Sequence, residues 1–363
     1  MPSNKSVNFA PVPADYKRMN VYPLFRVILF TTVLFLFPSV SGQAYISAFT
    51  ETATIRTDDR RSRNRIFPDM LFANAVESVR RAEEAAPFWV RTRAEQEEYI
   101  RAMADNNVSI LLNNDILVYY GHPLSRRMGI LGRYPKPELL RRLSIRAEEY
   151  RIAGGRNIIK AFYIIFGTVW PEGEIGIINQ NVLREWVHFT YENNMLLFID
   201  HQMGRFDPID SLRQMFPWLH YPHVHLALDP EWRTNRPMVY IGHLTAAEIN
   251  RAQQVMQDYL IANNLPGERM LVIHQFDWRM IRNRDAVDAT FERVRLVHAI
   301  SGIGSPDCKR RTYEVHAARA TNIPVKGFKL WYPCPFGTPY DYPRMTPEEV
   351  FALVPRPSII IYQ

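Results

Sequence analysis

Apolar-rich runs of four to seven residues recur along the chain from residue 116 onward. They cover 116–120 (ILVYY), 161–166 (AFYIIF), 196–199, 224–228, 270–273, 294–300 (VRLVHAI), 325–330 and 358–362 (SIIIY). A strand of a parallel sheet is covered on both faces and reads as such a run, whereas a half-exposed strand alternates. Between the runs lie stretches with apolar positions at helical spacing, at 137–152, 182–193, 208–216, 245–262, 308–320 and 346–353. Thr245 with Glu248 has the spacing of a capping box, and the Thr346-Pro347-Glu348-Glu349 start of the last helix is a further start signal. Eight strands with helices between them predict a (β/α)8 TIM-like barrel of the α/β class over residues 111–363, with the eighth strand at the C-terminus.

Before the barrel, helical periodicity recurs at 68–86 and 93–105, so residues 68–110 are expected to pack on the barrel as N-terminal helices. No helix follows the eighth strand in this chain, so one of those two is expected to cover that flank. Residues 44–67 are polar and Arg-rich and read as a tether. The stretch 27–40 (VILFTTVLFLFPSV) has Lys17, Arg18 and Arg26 before it and Ser39, Ser41 and Gly42 around its end. It is short of the ~20 residues of a spanning helix, so residues 1–43 read as a signal peptide with a membrane anchor as the alternative. The expectation is an exported protein of the cell envelope, periplasmic or extracellular, held to the membrane if the segment is not cleaved.

The strand ends carry the candidate chemistry. The third run leads into Asp200, His201 and Gln202, the fourth into Asp229, Pro230, Glu231 and Trp232, and the fifth into His274 and Gln275. Functional groups of a barrel collect past the carboxyl ends of its strands, so these residues are expected on one arc of the rim. Asp200, Asp229 and Glu231 suit acid–base hydrolysis of a glycosidic bond, with Glu231 or Asp229 as acid and Asp200 as base or nucleophile. His274 is a fourth catalytic candidate, and Gln202, Gln275, Lys329, Trp232, Tyr332 and Tyr120 are candidates for holding substrate. Asp200, Asp229 and His274 are also a potential ligand set for a divalent metal, which is the alternative to a reaction without any cofactor.

Other signals carry less. His298 within the sixth strand reads as a satisfied core residue, and His223 and His225 lie four residues short of the rim. The Gly302-Ile303-Gly304 turn lacks the third glycine of a dinucleotide fingerprint, although Lys309 and Lys329 near it could meet an anionic or hydroxyl-rich ligand. The net charge of +7 is spread along the chain without aromatic interleaving, so nucleic acid is not expected as a partner. Cys308 and Cys334 permit one disulfide, with two unpaired thiols as the plainer reading.

The segments 118–124 (VYYGHPL), 128–132 (MGILG), 226–231 (LALDPE), 272–276 (VIHQF), 327–330 (GFKL) and 360–363 (IIYQ) resemble a family of uncharacterised, exported bacterial proteins with a TIM-like barrel. The resemblance runs from about Leu117 to Gln363 and implies the barrel and the envelope setting, without a reaction. The lipid-attachment cysteine of some members has no counterpart here. Three functions follow as expectations: a hydrolase acting on an envelope glycan, a metal-dependent phosphodiesterase-like hydrolase, or a non-catalytic glycan-binding protein.

Overall fold

The computed structural model describes residues 109–363 apart from 113, 155–156, 335 and 338. The expected signal or anchor, the tether and the helices at 68–86 and 93–105 lie outside the described residues. Among the described residues no helix is long and apolar enough to cross a membrane.

Eight parallel strands form the wall: β1 (Asn114–Gly121), β2 (Asn157–Val169), β4 (Leu196–His201), β5 (Val224–Leu228), β7 (Arg269–Gln275), β9 (Val294–Ile300), β10 (Val325–Leu330) and β11 (Ile359–Tyr362). Each pairs with its neighbour in that order. The sheet closes through β1, which pairs with β2 from Asn114↔Asn157 to Gly121↔Ile164 and with β11 from Ile116↔Ile359 to Tyr119↔Tyr362. A short β3 (Ile175–Ile177) folds back on the end of β2, and β6 (Leu244–Thr245) pairs with β8 (Ile281–Arg282) outside the wall.

Helices α1 (Lys136–Gly154), α2 (Gln180–Glu192), α3 (Pro208–Arg213), α4 (Ala246–Ala262), α5 (Pro306–Tyr313) and α6 (Pro347–Phe351) fill the connections. The capping boxes of Thr245 with Glu248 and of Thr346 with Glu349 both form. Three helices are shorter than their sequence spacing predicts, the last of them ending at Phe351. The third gives way to a 3₁₀ turn at Phe216–His220, entered through Pro217, whose missing N–H suits a helix start rather than an interior. The fifth relaxes into a wider turn at Glu314–Ala318.

Alternation along the strands divides the apolar side chains into two cores. Ile116, Val118, Ala161, Phe198, Val272, Val297 and Ile361 fill the lumen, while Leu117, Phe162, Ile199, Leu226, Leu271, Phe328 and Ile360 meet the helices. The lumen is filled tightly: a Cβ on Gly327 would come within 3.0 Å of the Ala299 Cβ. On the flank of β11, α1 supplies the cover. Tyr150 hydrogen-bonds Tyr362 at 2.9 Å and Arg146 stacks on the Tyr362 ring. Cys308 and Cys334 are unpaired.

Candidate functional site

The two-residue period that builds the lumen also selects which polar residues enter it. Tyr120 shares the face of Ile116 and Val118, Tyr163 that of Ala161, Asp200 that of Phe198, Asp229 that of Ala227, His274 that of Val272, and Lys329 that of Gly327. Tyr120, Asp200, Asp229, His274 and Lys329 sit at or just past the carboxyl ends of their strands, Tyr163 lies midway along the long β2 in register with Tyr120, and together they close the top of the lumen. Asp200 is 0%, Asp229 5%, His274 1% and Lys329 3% exposed. Two residues beyond Asp229, Glu231 is only half-buried.

Hydrogen bonds order this layer. The Tyr120 hydroxyl donates to Asp200 Oδ2 at 3.0 Å, and the Tyr163 hydroxyl meets His274 Nε2 at 2.8 Å. Asp229 caps the turn Pro230–Trp232 by accepting from the Glu231 amide, and it also accepts from the Trp232 side chain. The Lys329 ammonium lies over the Tyr120 ring at 3.8 Å and the Trp331 ring at 4.6 Å. Stacking on two ring faces keeps a buried cation favourable where no carboxylate is in direct contact with it.

Burial sets the proton affinities. It pushes Asp200 up to about 8, and the negative charge of Asp229 adds to that shift. Asp229 rises to about 6 for the same reason, with Lys329 opposing. Glu231 is raised by burial and then by Asp229. Lys329 falls to about 8 through burial, against the pull of the three carboxylates, and burial followed by the Lys329 charge holds His274 neutral.

Sequence-selected residues thus meet in one place: Asp200, Asp229, Glu231, Trp232, His274, Lys329 and Tyr120. Others do not. Gln275 occupies the outward parity of β7, and its side chain contacts His298 Nε2 at 2.7 Å and the Asp277 carbonyl, away from the mouth. Tyr332 packs edge-on against Tyr119 and at a tilt against Tyr362 outside the wall. Gln202 is committed to the backbone, accepting from the Val169 amide at 3.0 Å. Lys309 is no ligand contact either, because its ammonium is spent on the carbonyls of Gly302 and Lys329 and on Asp341 at 3.0 Å. His223 and His225 bond the Val187 carbonyl and the Met270 amide deep in the fold.

Two participants were missed by sequence reading. Tyr163 is hidden inside the apolar run 161–166, and only its parity marks it as inward-facing. Asp341 lies in a loop without periodicity, and there it accepts from the amides of Gly304 and Trp331 beside the buried Lys309.

No family model matches the chain, and no curated protein matches it. Among solved structures the fold is similar to a chitinase from Chromobacterium violaceum, with 9% identity over 60% of this chain and 68% of that one, at a TM-score of 0.34. A beta-glucanase from Saccharophagus degradans is similar at 13% identity over 69% and 78%, with a TM-score of 0.36. Endo-glycoceramidase II from Rhodococcus sp. is similar at 11% identity over 68% and 73%, with a TM-score of 0.33. Likeness this distant carries no argument about the reaction.

Proposed function

We propose that the protein is an exported hydrolase that cleaves a glycosidic bond of an envelope glycan at the carboxyl end of its barrel, with Glu231 as the proton carrier. One observation carries this reading: the three carboxylates are layered. Asp200 and Asp229 are sealed in the lumen, whereas Glu231, two residues past Asp229, keeps part of its surface open while its carboxyl stays close enough to Asp229 and Lys329 to feel their charges. Glu231 would give its proton to the departing oxygen as the bond to the sugar carbon breaks, and water would complete the hydrolysis. Asp229 and Lys329 set the field beneath it. Asp200, expected from sequence to act as base or nucleophile, is too deep to touch a sugar and acts through its neighbours.

The rim supports a sugar ligand. Every exposed aromatic residue among the described ones lies on a loop that follows a wall strand: Tyr134, Phe206, Tyr240, Trp278, Phe336, Tyr340 and Tyr342. Sugar C–H faces stack on such rings. Arginines accompany four of them, Arg127 at Phe336, Arg142 at Tyr134, Arg205 at Phe206 and Arg236 at Tyr240, which suits an anionic glycan. The apolar stretch at 27–40 supports export.

The test is reducing-end release from soluble anionic and neutral envelope glycans. Turnover by the wild-type chain and a loss of about 10²–10⁴-fold in Glu231→Gln are expected, the range for removing a general acid. Undiminished turnover in that variant would contradict the assignment.

A further inference from the structure

Asp200, Asp229 and His274 end the three successive wall strands β4, β5 and β7, and each offers one donor atom within 4.8 Å of the other two. Acidic clusters are common without a ligand, so the unused donors matter more than the cluster. Among the described residues, Asp200 Oδ1 and His274 Nδ1 are buried without any hydrogen-bond partner. An unpaired buried polar atom costs about 1–3 kcal/mol, and here two belong to one group of touching residues. The second donor of each residue is not idle. Tyr120 holds Asp200 Oδ2 and Tyr163 holds His274 Nε2, the kind of outer contact that orients metal ligands and leaves their inner atoms free.

Charge points the same way. Asp200, Asp229 and Glu231 are three carboxyl groups around a single ammonium, and Lys329 spends its contacts on the Tyr120 and Trp331 rings. Fully ionised, the group carries two negative charges in excess.

We infer that Asp200, Asp229 and His274 bind one divalent first-row transition-metal ion. Two carboxylates and an imidazole form a mixed oxygen and nitrogen set suited to Mn²⁺ or Zn²⁺, and they fall short of the six to eight oxygens that Ca²⁺ takes. Small rotations of the three side chains bring their donors to the ~2.0–2.2 Å of a bound ion. Such an ion, held beneath Glu231, would lower the pKa of a water bound to it. The inference deepens the hydrolase reading of the same pocket, yet it is measured without turnover.

The full chain, stripped with a chelator and returned to buffer, is titrated calorimetrically with MnCl₂ and with ZnCl₂, and Mn²⁺ binding is confirmed by its paramagnetic resonance spectrum. One ion per chain and a raised melting temperature are expected, with affinity at least tenfold weaker in Asp200→Asn and His274→Gln. Asp200→Asn keeps shape and loses only charge. Tyr163→Phe, which removes one hydroxyl oxygen from an outer contact, should weaken binding several-fold and decides the matter if the ligand variants do not fold. Glu231→Gln should still bind one ion, so loss of turnover and loss of metal are read separately. Absence of Mn²⁺ and Zn²⁺ binding in the wild type, or binding unchanged in the folded variants, would overturn the site.

Discussion

Asp200 shows what a single carboxyl experiences at the top of this lumen. It is wholly buried, one oxygen is bonded to Tyr120 and the other has no partner, and burial with the Asp229 charge raises its pKa to about 8. An uncompensated buried charge is destabilising, so a neutral isostere should relieve the fold. Asp200→Asn is therefore expected to stabilise the metal-free protein at pH 8 by about 1–3 kcal/mol, measured by urea unfolding. A loss of stability would mean that the carboxylate is better paired than its contacts indicate. On the open side, Trp278→Ala should raise KM several-fold and leave kcat near the wild-type value in the glycan assay, because a stacking face contributes binding rather than proton transfer. Much of this was legible from strand-end positions in the sequence: Asp200, Asp229, His274 and Lys329 are where the apolar runs stop. Gln275 shows the limit. It is one residue past His274, and a step of one residue on a strand reverses the face, which sends it to His298 and the helical layer.

At the scale of elements, the buried pair of Lys309 on α5 and Asp341 on the loop after β10 ties two connections to the strand that carries Lys329. Lys309 donates to the Lys329 carbonyl at 2.7 Å, and Asp341 accepts from the Trp331 amide at 2.9 Å. Removing one partner leaves the other charge buried and alone, at a cost of about 3–5 kcal/mol. Lys309→Met should show that loss in equilibrium unfolding, and Lys309→Met with Asp341→Leu should recover part of it. Equal losses in the single and double variants would mean the pair is not coupled. By comparison, Thr245→Ala removes one cap of α4 and should cost about 1 kcal/mol. The cap was readable because Thr245 and Glu248 are three residues apart. The Lys309–Asp341 pair was not readable, since its partners are separated by thirty-two positions and meet only once the barrel has closed.

At the scale of the molecule, closure follows from pattern alone. Runs buried on both faces, most of them followed by a helix, have few alternatives to a barrel, and β1 pairing with both β2 and β11 completes it. The pairing of outward polar groups did not follow, because the helical layer brings together residues far apart in sequence. Buried imidazoles on both faces of the wall contribute to the response to acid. His223, His225, His298 and His316 are buried, and burial depresses each, His223 to about 3 and His316 to about 4, with His225 and His298 well below the usual value. A folded pKa below the unfolded value of about 6.5 means the unfolded chain takes up more protons, so this stability is present above pH 6.5 and lost as pH falls toward 4. Asp200, Asp229 and Glu231, whose folded pKa values are raised, oppose this by gaining stability as pH falls, so the drop in melting temperature between pH 6.5 and 4 should be steeper in Asp200→Asn than in the wild type. A flat profile in Asp200→Asn as well as in the wild type would mean these imidazoles are solvated.

The central claim is that Glu231 is the proton carrier of a hydrolytic site, and the most direct test compares reducing-end release by the wild type and by Glu231→Gln on one glycan at matched melting temperature. The account predicts turnover in the wild type and a loss of at least about 10²-fold in the variant. Equal rates from the two proteins would contradict it.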